Sequence, residues 1–162
     1  MQSLPILDEP FERVSFDIVG PFPGCAGGYR FLLTAVDHCT HFPFAIALKK
    51  HEAQDVANAL IEVSAQYSYP KEVLCANAPE FRSKLHTIFW ETFGIKHVKI
   101  SNIHPTSNSN LERCHRLMKN ALRSVADKLP DSWTEAVPWV LYAYREVPVE
   151  PLGFRPYELL FG

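Results

Sequence analysis

Apolar and other residues alternate along residues 13–19, RVSFDIV. Val14, Phe16 and Ile18 fall on one side, with Ser15, Asp17 and Val19 on the other. A period of two predicts a strand, and Gly20-Pro21 closes it. A Gly-rich turn at residues 25–28 leads into the apolar run FLLTAV of residues 31–36, and a third strand pattern covers 42–48. Three strands joined by short turns predict an antiparallel meander. The period then lengthens. Val56, Leu60, Val63 and Tyr67 recur at i, i+4, i+7 and i+11, a helical stripe that Pro70 ends. Residues 72–75, EVLC, predict a short strand. Phe81, Leu85, Phe89 and Phe93 make a second helical stripe ended by Gly94, and residues 96–100 a fifth strand.

The polar stretch SNIHPTSNSN of residues 101–110 has no period. A long helix is predicted from about 110 to 129, with Leu111, Cys114, Met118, Leu122, Val125 and Leu129 as its core stripe and Pro130 as its stop. Another is predicted from about 132 to 145, where Pro138 implies a kink or a late start. Residues 1–11, punctuated by Pro5 and Pro10, read as an extended arm, and residues 12–162 as one domain without repeats. The order predicts a mixed α/β sheet, a meander followed by crossover-connected parallel strands.

Composition narrows the class. A chain of 162 residues suits one domain and builds a core without disulfides or structural metal. Hydrophobic residues at 47% and charged residues at 21% are ordinary for a soluble protein. A net charge of -2 means that any nucleic-acid binding must come from local patches. Cys25, Cys39, Cys75 and Cys114 form no CxxC pair and read as free buried thiols of a reducing compartment. His38 and His41 flank Cys39, but a zinc site needs a second ligand pair. The first residues do not read as a signal peptide, and no apolar run is long enough to span a bilayer. The reading is a soluble intracellular protein, the nucleus one candidate compartment, with no membrane partner and no small-molecule substrate indicated.

Three features could carry chemistry. Asp17 sits on a mostly apolar strand, and an unpaired buried carboxylate is costly. It either serves a site or meets water or a basic side chain near a sheet edge. Glu112 falls in the first turn of the long helix, where the macrodipole favours a carboxylate. Glu112, Arg116, Lys119 and Arg123 share one helix face. That face is either a solvated one with a weak Glu112–Arg116 pair or a carboxylate beside a basic track suited to phosphates. The segment LCANAPEF, residues 74–81, is a strand-to-helix turn of the kind where open α/β sheets place sites, though by itself only a polar turn.

Four stretches together resemble the integrase catalytic core of gypsy-like long-terminal-repeat retrotransposons and retroviruses: FDIVGPFP at 16–23, LCANAPEF at 74–81, HPTSNSNLERCHRLMK at 104–119 and YREVPVEPLGFRPYELLFG at 144–162. The resemblance spans essentially the whole chain. It implies a ribonuclease H-like fold with a five-stranded mixed sheet and helices on both faces. It also implies an ancestral DNA strand-transfer activity, in which two Asp and one Glu hold two Mg2+ or Mn2+ ions about 4 Å apart. Asp17 matches the first Asp and Glu112 the Glu, so both are the implied catalytic and metal-binding remnants. Asn108 and Arg113 lie in the same motif as Glu112. With Arg116, Lys119 and Arg123 they are the candidates for nucleic-acid contact.

The departures matter as much. Ala76 stands where relatives have the second Asp, Ala78 and Ser109 where they have Gly, and His115 where they have Asn. Ala76 supplies no oxygen ligand, and alternation points the neighbouring Asn77 elsewhere. The expectation is a degraded triad with metal binding weak or absent and no strand transfer, while nucleic-acid binding remains. The other readings are a non-enzymatic protein-interaction module and a relic domain without present function. Relatives carry a zinc-binding domain before the core and a basic β-barrel after it. Neither motif occurs in these residues, as expected of a domesticated or decaying copy or of one domain expressed alone. Family cores dimerise, and Trp133, Trp139, Tyr142 and Tyr144 crowd the helix after Pro130. They imply either a homodimer interface or a cover for the sheet.

Overall fold

A computed structural model of the chain describes residues 9–75, 84–99, 109–150 and 152–162. The elements, in chain order, are β1 Arg13–Val19, β2 Phe31–Asp37, β3 Pro43–Leu48, α1 Ala53–Gln66, β4 Glu72–Cys75, α2 Lys84–Phe93, β5 Lys96–Lys99, α3 Ser109–Lys128, α4 Trp133–Glu146 and α5 Pro156–Phe161. The five strands form one sheet in the order β3-β2-β1-β4-β5. β1 pairs antiparallel with β2 and β2 with β3, while β1 with β4 and β4 with β5 are parallel. The meander with parallel additions read from the sequence is therefore present. β1, with Asp17, lies at the centre of the sheet and not at an edge. Gly20 ends β1 at φ +138, with a Cβ there only 2.8 Å from the Arg30 carbonyl oxygen, so the close approach requires glycine.

Each sheet face is covered by helices. One side packs Val14, Phe16, Leu33, Ala35, Phe44 and Val73 against Val56, Leu60 and Val63 of α1 and Phe89 and Trp90 of α2. The other packs Val19, Leu32 and Val36 against Leu111, Met118, Leu122 and Ala126 of α3 and Trp133, Val137 and Leu141 of α4. No helix among the described residues is long and apolar enough to cross a membrane.

The structure departs from the sequence reading in detail. Leu129 is 48% exposed, and Ala126 takes its place in the core. A straight helix drifts off a fixed seven-residue repeat, and the small alanine carries little weight in a hydrophobic pattern. Phe93 is exposed and stacks on Tyr69, their centroids 4.6 Å apart. α4 runs through Pro138 from its start at Trp133, so the helix does not begin late. α5 is short and opened by a proline, and no periodicity separates it from the tail. Residues 1–8 lie outside the described ones. Residues 9–12 form a turn rather than an extended strand, and Phe11, at φ 61, tucks under the sheet and donates its N–H to Asp37 Oδ1.

Asp37 is fully buried at the end of β2 and holds the β2–β3 turn. Its Oδ2 accepts from the Thr40 N–H at 2.9 Å and the Thr40 hydroxyl at 2.7 Å. Burial pushes its carboxyl above the usual range, against those hydrogen bonds. The four cysteines form no disulfide among the described residues, but only Cys75 is buried as expected; Cys25, Cys39 and Cys114 are half-buried.

Candidate functional site

The alternation of β1 decides which residues meet α3. Phe16 faces α1, so its neighbours Ser15 and Asp17 face the α3 side of the sheet. Thr34 of β2 is the cross-strand partner of Asp17, and its hydroxyl donates to the Asp17 carbonyl oxygen at 3.2 Å. From α3, His115 and Lys119 stand four residues apart, hence on one helix face, and both reach down to this point. His115 Nε2 lies 2.9 Å from the Thr34 hydroxyl, and Lys119 Nζ donates to Asp17 Oδ2 at 2.5 Å. Asp17 Oδ1 accepts from the Ile18 N–H at 2.9 Å. Both carboxylate oxygens are thus engaged by the protein.

The protons follow from this geometry. The Thr34 hydroxyl has one proton, and it goes to the Asp17 carbonyl oxygen. His115 must then donate its Nε2–H to the hydroxyl oxygen, which fixes its neutral tautomer. Burial, reinforced by the Lys119 charge and opposed by Asp17, pushes the His115 imidazole down to about 4. Beside it, Ser15 Oγ contacts His38 Nε2 at 2.5 Å. Burial takes His38 down to about 3, with Arg13, His41 and His115 acting in the same direction against Glu72. Arg13 itself is buried and paired with Glu72, which also receives Lys96 at 2.9 Å. The centre of this sheet face is a half-buried polar inclusion of two hydroxyls, two neutral imidazoles and one ion pair.

Cys75, the last described residue of β4, pairs in register with Phe16, one residue before Asp17. Its thiol contacts His97 Nε2 at 2.8 Å and is pushed up to about 12, first by burial and then by the Asp17 charge. It is a protonated, inert thiol at neutral pH. Ala76 and Asn108 lie outside the described residues. Glu112, Arg113, Arg116 and Arg123 are exposed along α3.

Of the four residues assigned to one helix face, Lys119 turns inward to Asp17, while Glu112, Arg116 and Arg123 face solvent. Asp17 therefore meets a basic side chain, one of the two alternatives its sequence context left open. Among the described residues, no group of three or more His, Cys, Asp or Glu side chains converges on a point able to hold a metal ion. Sequence reasoning misses Thr34, Ser15 and His38. Strand alternation puts Ser15 with Asp17, and Thr34 is the one hydroxyl in the run FLLTAV, so a signal for these two exists. A cavity of about 270 Å³ lies between α3 and the segment after α4; its wall is mostly apolar, with Leu117, Met118, Tyr144 and Val149, and also includes Arg113 and His115.

Known proteins resemble this chain in sequence and in fold. Gypsy retrotransposon integrase-like protein 1 of Rattus norvegicus is 24% identical over 161 residues, which is 99% of this chain and 31% of that protein. The retrovirus-related Pol polyprotein from transposon 412 of Drosophila melanogaster is 24% identical over 156 residues, or 96% of this chain and 13% of that one. The chain thus spans a third or less of the length of these relatives. Among solved structures, the HTLV-2 integrase catalytic core domain in complex with magnesium superposes with a TM-score of 0.70 at 19% identity, covering 93% of this chain and 97% of that one. The BIV integrase catalytic core domain does so with 0.72 at 18%, covering 93% of each. At these identities the likeness establishes the ribonuclease H-like fold. The integrase core domain family matches residues 8–105, more than half of the sequence, and the chain belongs to that family.

Proposed function

We propose that this is a retroelement-derived integrase core that no longer catalyses DNA strand transfer and keeps a nucleic-acid-binding helix face. The observation that carries the reading is the state of Asp17, whose two oxygens are taken by Lys119 and by the Ile18 N–H. Two-metal phosphoryl transfer needs a shared set of carboxylates, because one ion readies the nucleophile and the other steadies the leaving oxygen. Here the second Asp position is Ala76. Glu112 is exposed and no cluster of three ligating side chains exists among the described residues. The described residues do not fit a pair of Mg2+ or Mn2+ ions.

Nucleic-acid binding would rest on Arg113, Arg116 and Arg123, exposed along α3, with Asn108 preceding them in the motif. Such contacts go to phosphates and give affinity that falls with salt and is indifferent to sequence. A DNA partner would place the domain in the nucleus. Self-association has its own support. Trp133 is buried and Tyr144 half-buried against the sheet, whereas Trp139 is 76% and Tyr142 61% exposed on the outer side of α4. Aromatic residues such as this exposed pair, three residues apart, are enriched at interfaces, and the HTLV-2 core is known in dimeric and trimeric forms. The same pair would serve a protein-interaction module.

The test is strand transfer by the purified chain with Mg2+ or Mn2+, beside Glu112→Gln and Ala76→Asp. No product is expected from the chain or from Glu112→Gln. Clear product from the chain that Glu112→Gln abolishes would overturn the reading. In salt titrations of DNA binding, Arg116→Ala with Arg123→Ala should flatten the slope by about one unit for each phosphate no longer neutralised. An unchanged slope would remove the helix face from the assignment.

A further inference from the structure

The polar inclusion under α3 is complete without any added ion. Asp17 and Lys119 are 34% and 25% exposed at their side chains, close enough to the interior for the pair to hold in salt. Thr34 and His115 are committed as well. The Thr34 hydroxyl serves the Asp17 carbonyl oxygen and His115, and His115 Nε2 serves Thr34. Lys119 stands seven residues from Glu112 on α3, about 10 Å along the helix axis. The ammonium sits against the first carboxylate, and the second is carried two turns earlier on α3.

We propose that Lys119 is the resident cation of this site: its ammonium occupies the position beside Asp17 that a divalent ion would need, and the pair excludes the ion. A hard dication demands several oxygen ligands in fixed geometry. Here it would have to displace a tethered ammonium already in place and would gain a single carboxylate. The loss of the second Asp is thus matched by a side chain that pairs with the first, so the Asp17 carboxylate has its partner within the fold. Lys119 is in consequence withdrawn from the basic strip, which leaves the arginines of α3 to meet phosphate. This inference deepens the reading of an inert acidic site. Its test does not use activity, so it can fail while the absence of strand transfer stands.

The first measurement is lysine acylation of the native chain, read by mass spectrometry, with and without Mg2+ or Mn2+ at matched ionic strength. Lys119 should react several-fold more slowly than Lys50 and Lys71, which are 70% and 66% exposed at their side chains. Its rate should not change with either metal. Acceleration of Lys119 to the Lys50 rate on adding metal would mean that the ion displaces it, and the proposal would fall. The second measurement is Mn2+ binding by electron paramagnetic resonance, together with the Mn2+-dependent shift in melting temperature. In an Ala76→Asp background, which returns a second carboxylate to the sequence, Lys119→Met should gain saturable Mn2+ binding and a melting shift of a few degrees, both lost again when Asp17→Asn is added. Ala76→Asp alone should show neither. Equal Mn2+ binding by Ala76→Asp and Ala76→Asp/Lys119→Met would overturn the proposal. If the Lys119→Met variant does not fold, Lys119→Gln in the same background carries the same comparison, and the acylation result on the native chain decides by itself.

Discussion

The two faces of the sheet are built from the same strands and treated differently. On the α1 side, β1 offers Val14 and Phe16 to a continuous apolar cluster in which Phe11, Phe42, Phe44 and Tyr67 stack with centroids 5.0–5.9 Å apart. On the α3 side, the alternate residues Ser15 and Asp17 meet Thr34, His38, His115 and Lys119, and the apolar core resumes only at Val19, Leu32 and Val36. One face stabilises by burying area. The other holds polar groups that are tolerable only because each finds a partner. The fold thus concentrates apolar packing on one face, and the middle of the other is held by hydrogen bonds and an ion pair.

Deleting a ring from the first face should therefore cost most. Phe44 is 4% exposed and contacts three other aromatic rings. Phe44→Ala should destabilise by about 3–5 kcal/mol, the range for truncating a buried aromatic. Urea unfolding measures it. A loss under about 1 kcal/mol, the size of a single net hydrogen bond, would show that the two faces are not divided in this way.

The division is only half legible in the sequence. Period-two alternation in residues 13–19 and the stripe through Val56, Leu60 and Val63 report burial, and the strands and helices follow from them. The core stripe of α3 holds at Leu111, Met118 and Leu122 and fails at its last turn. The polar inclusion is less visible. Helix geometry puts Lys119 on the face of Glu112, but whether it meets solvent or Asp17, 102 residues away, depends on how α3 lies across β1. No local pattern encodes that. Asp37 and Thr40 carry no distinguishing signal, because a carboxylate held by its own turn looks like any polar residue between strands.

The second face should answer to pH more than to truncation. His38 is held neutral, with its ionisation pushed down to about 3 by burial, the Arg13 charge, His41 and His115, against Glu72. In the unfolded chain an imidazole takes its proton near pH 6.5. The folded value is depressed, so the unfolded state binds the extra proton first as pH falls. The stability that His38 contributes is fully present above about pH 6.5 and is lost progressively below it, toward about 3. Between about pH 6.5 and pH 5 that loss is roughly 2 kcal/mol. His115 adds a loss of the same sign in the window from about 6.5 down to about 4. The measurement is the urea midpoint of the native chain and of His38→Asn at both pH values. The variant should lose clearly less stability on acidification. Parallel losses in the two proteins would mean that His38 is not held neutral.

The smallest expected effect is the most local and tests whether the inclusion is a connected network. Thr34→Val keeps the shape of the side chain and removes the hydroxyl that joins the Asp17 carbonyl oxygen to His115 Nε2. Two hydrogen bonds go, but the methyl group suits the neighbouring apolar residues. The imidazole N–H left without its acceptor carries most of the cost, about 1 kcal/mol. Stability alone would not distinguish this from a packing defect, so the imidazole proton is the sharper readout. In the native chain the Nε2–H of His115, buried and donated to Thr34, should give a slowly exchanging proton resonance. In Thr34→Val that resonance should exchange away, while the amide protons of β1 and β2 keep their protection. If it persists in the variant, His115 has another acceptor. The inclusion is then not organised around Thr34, and the polar face tolerates the removal of a single partner where the apolar face does not.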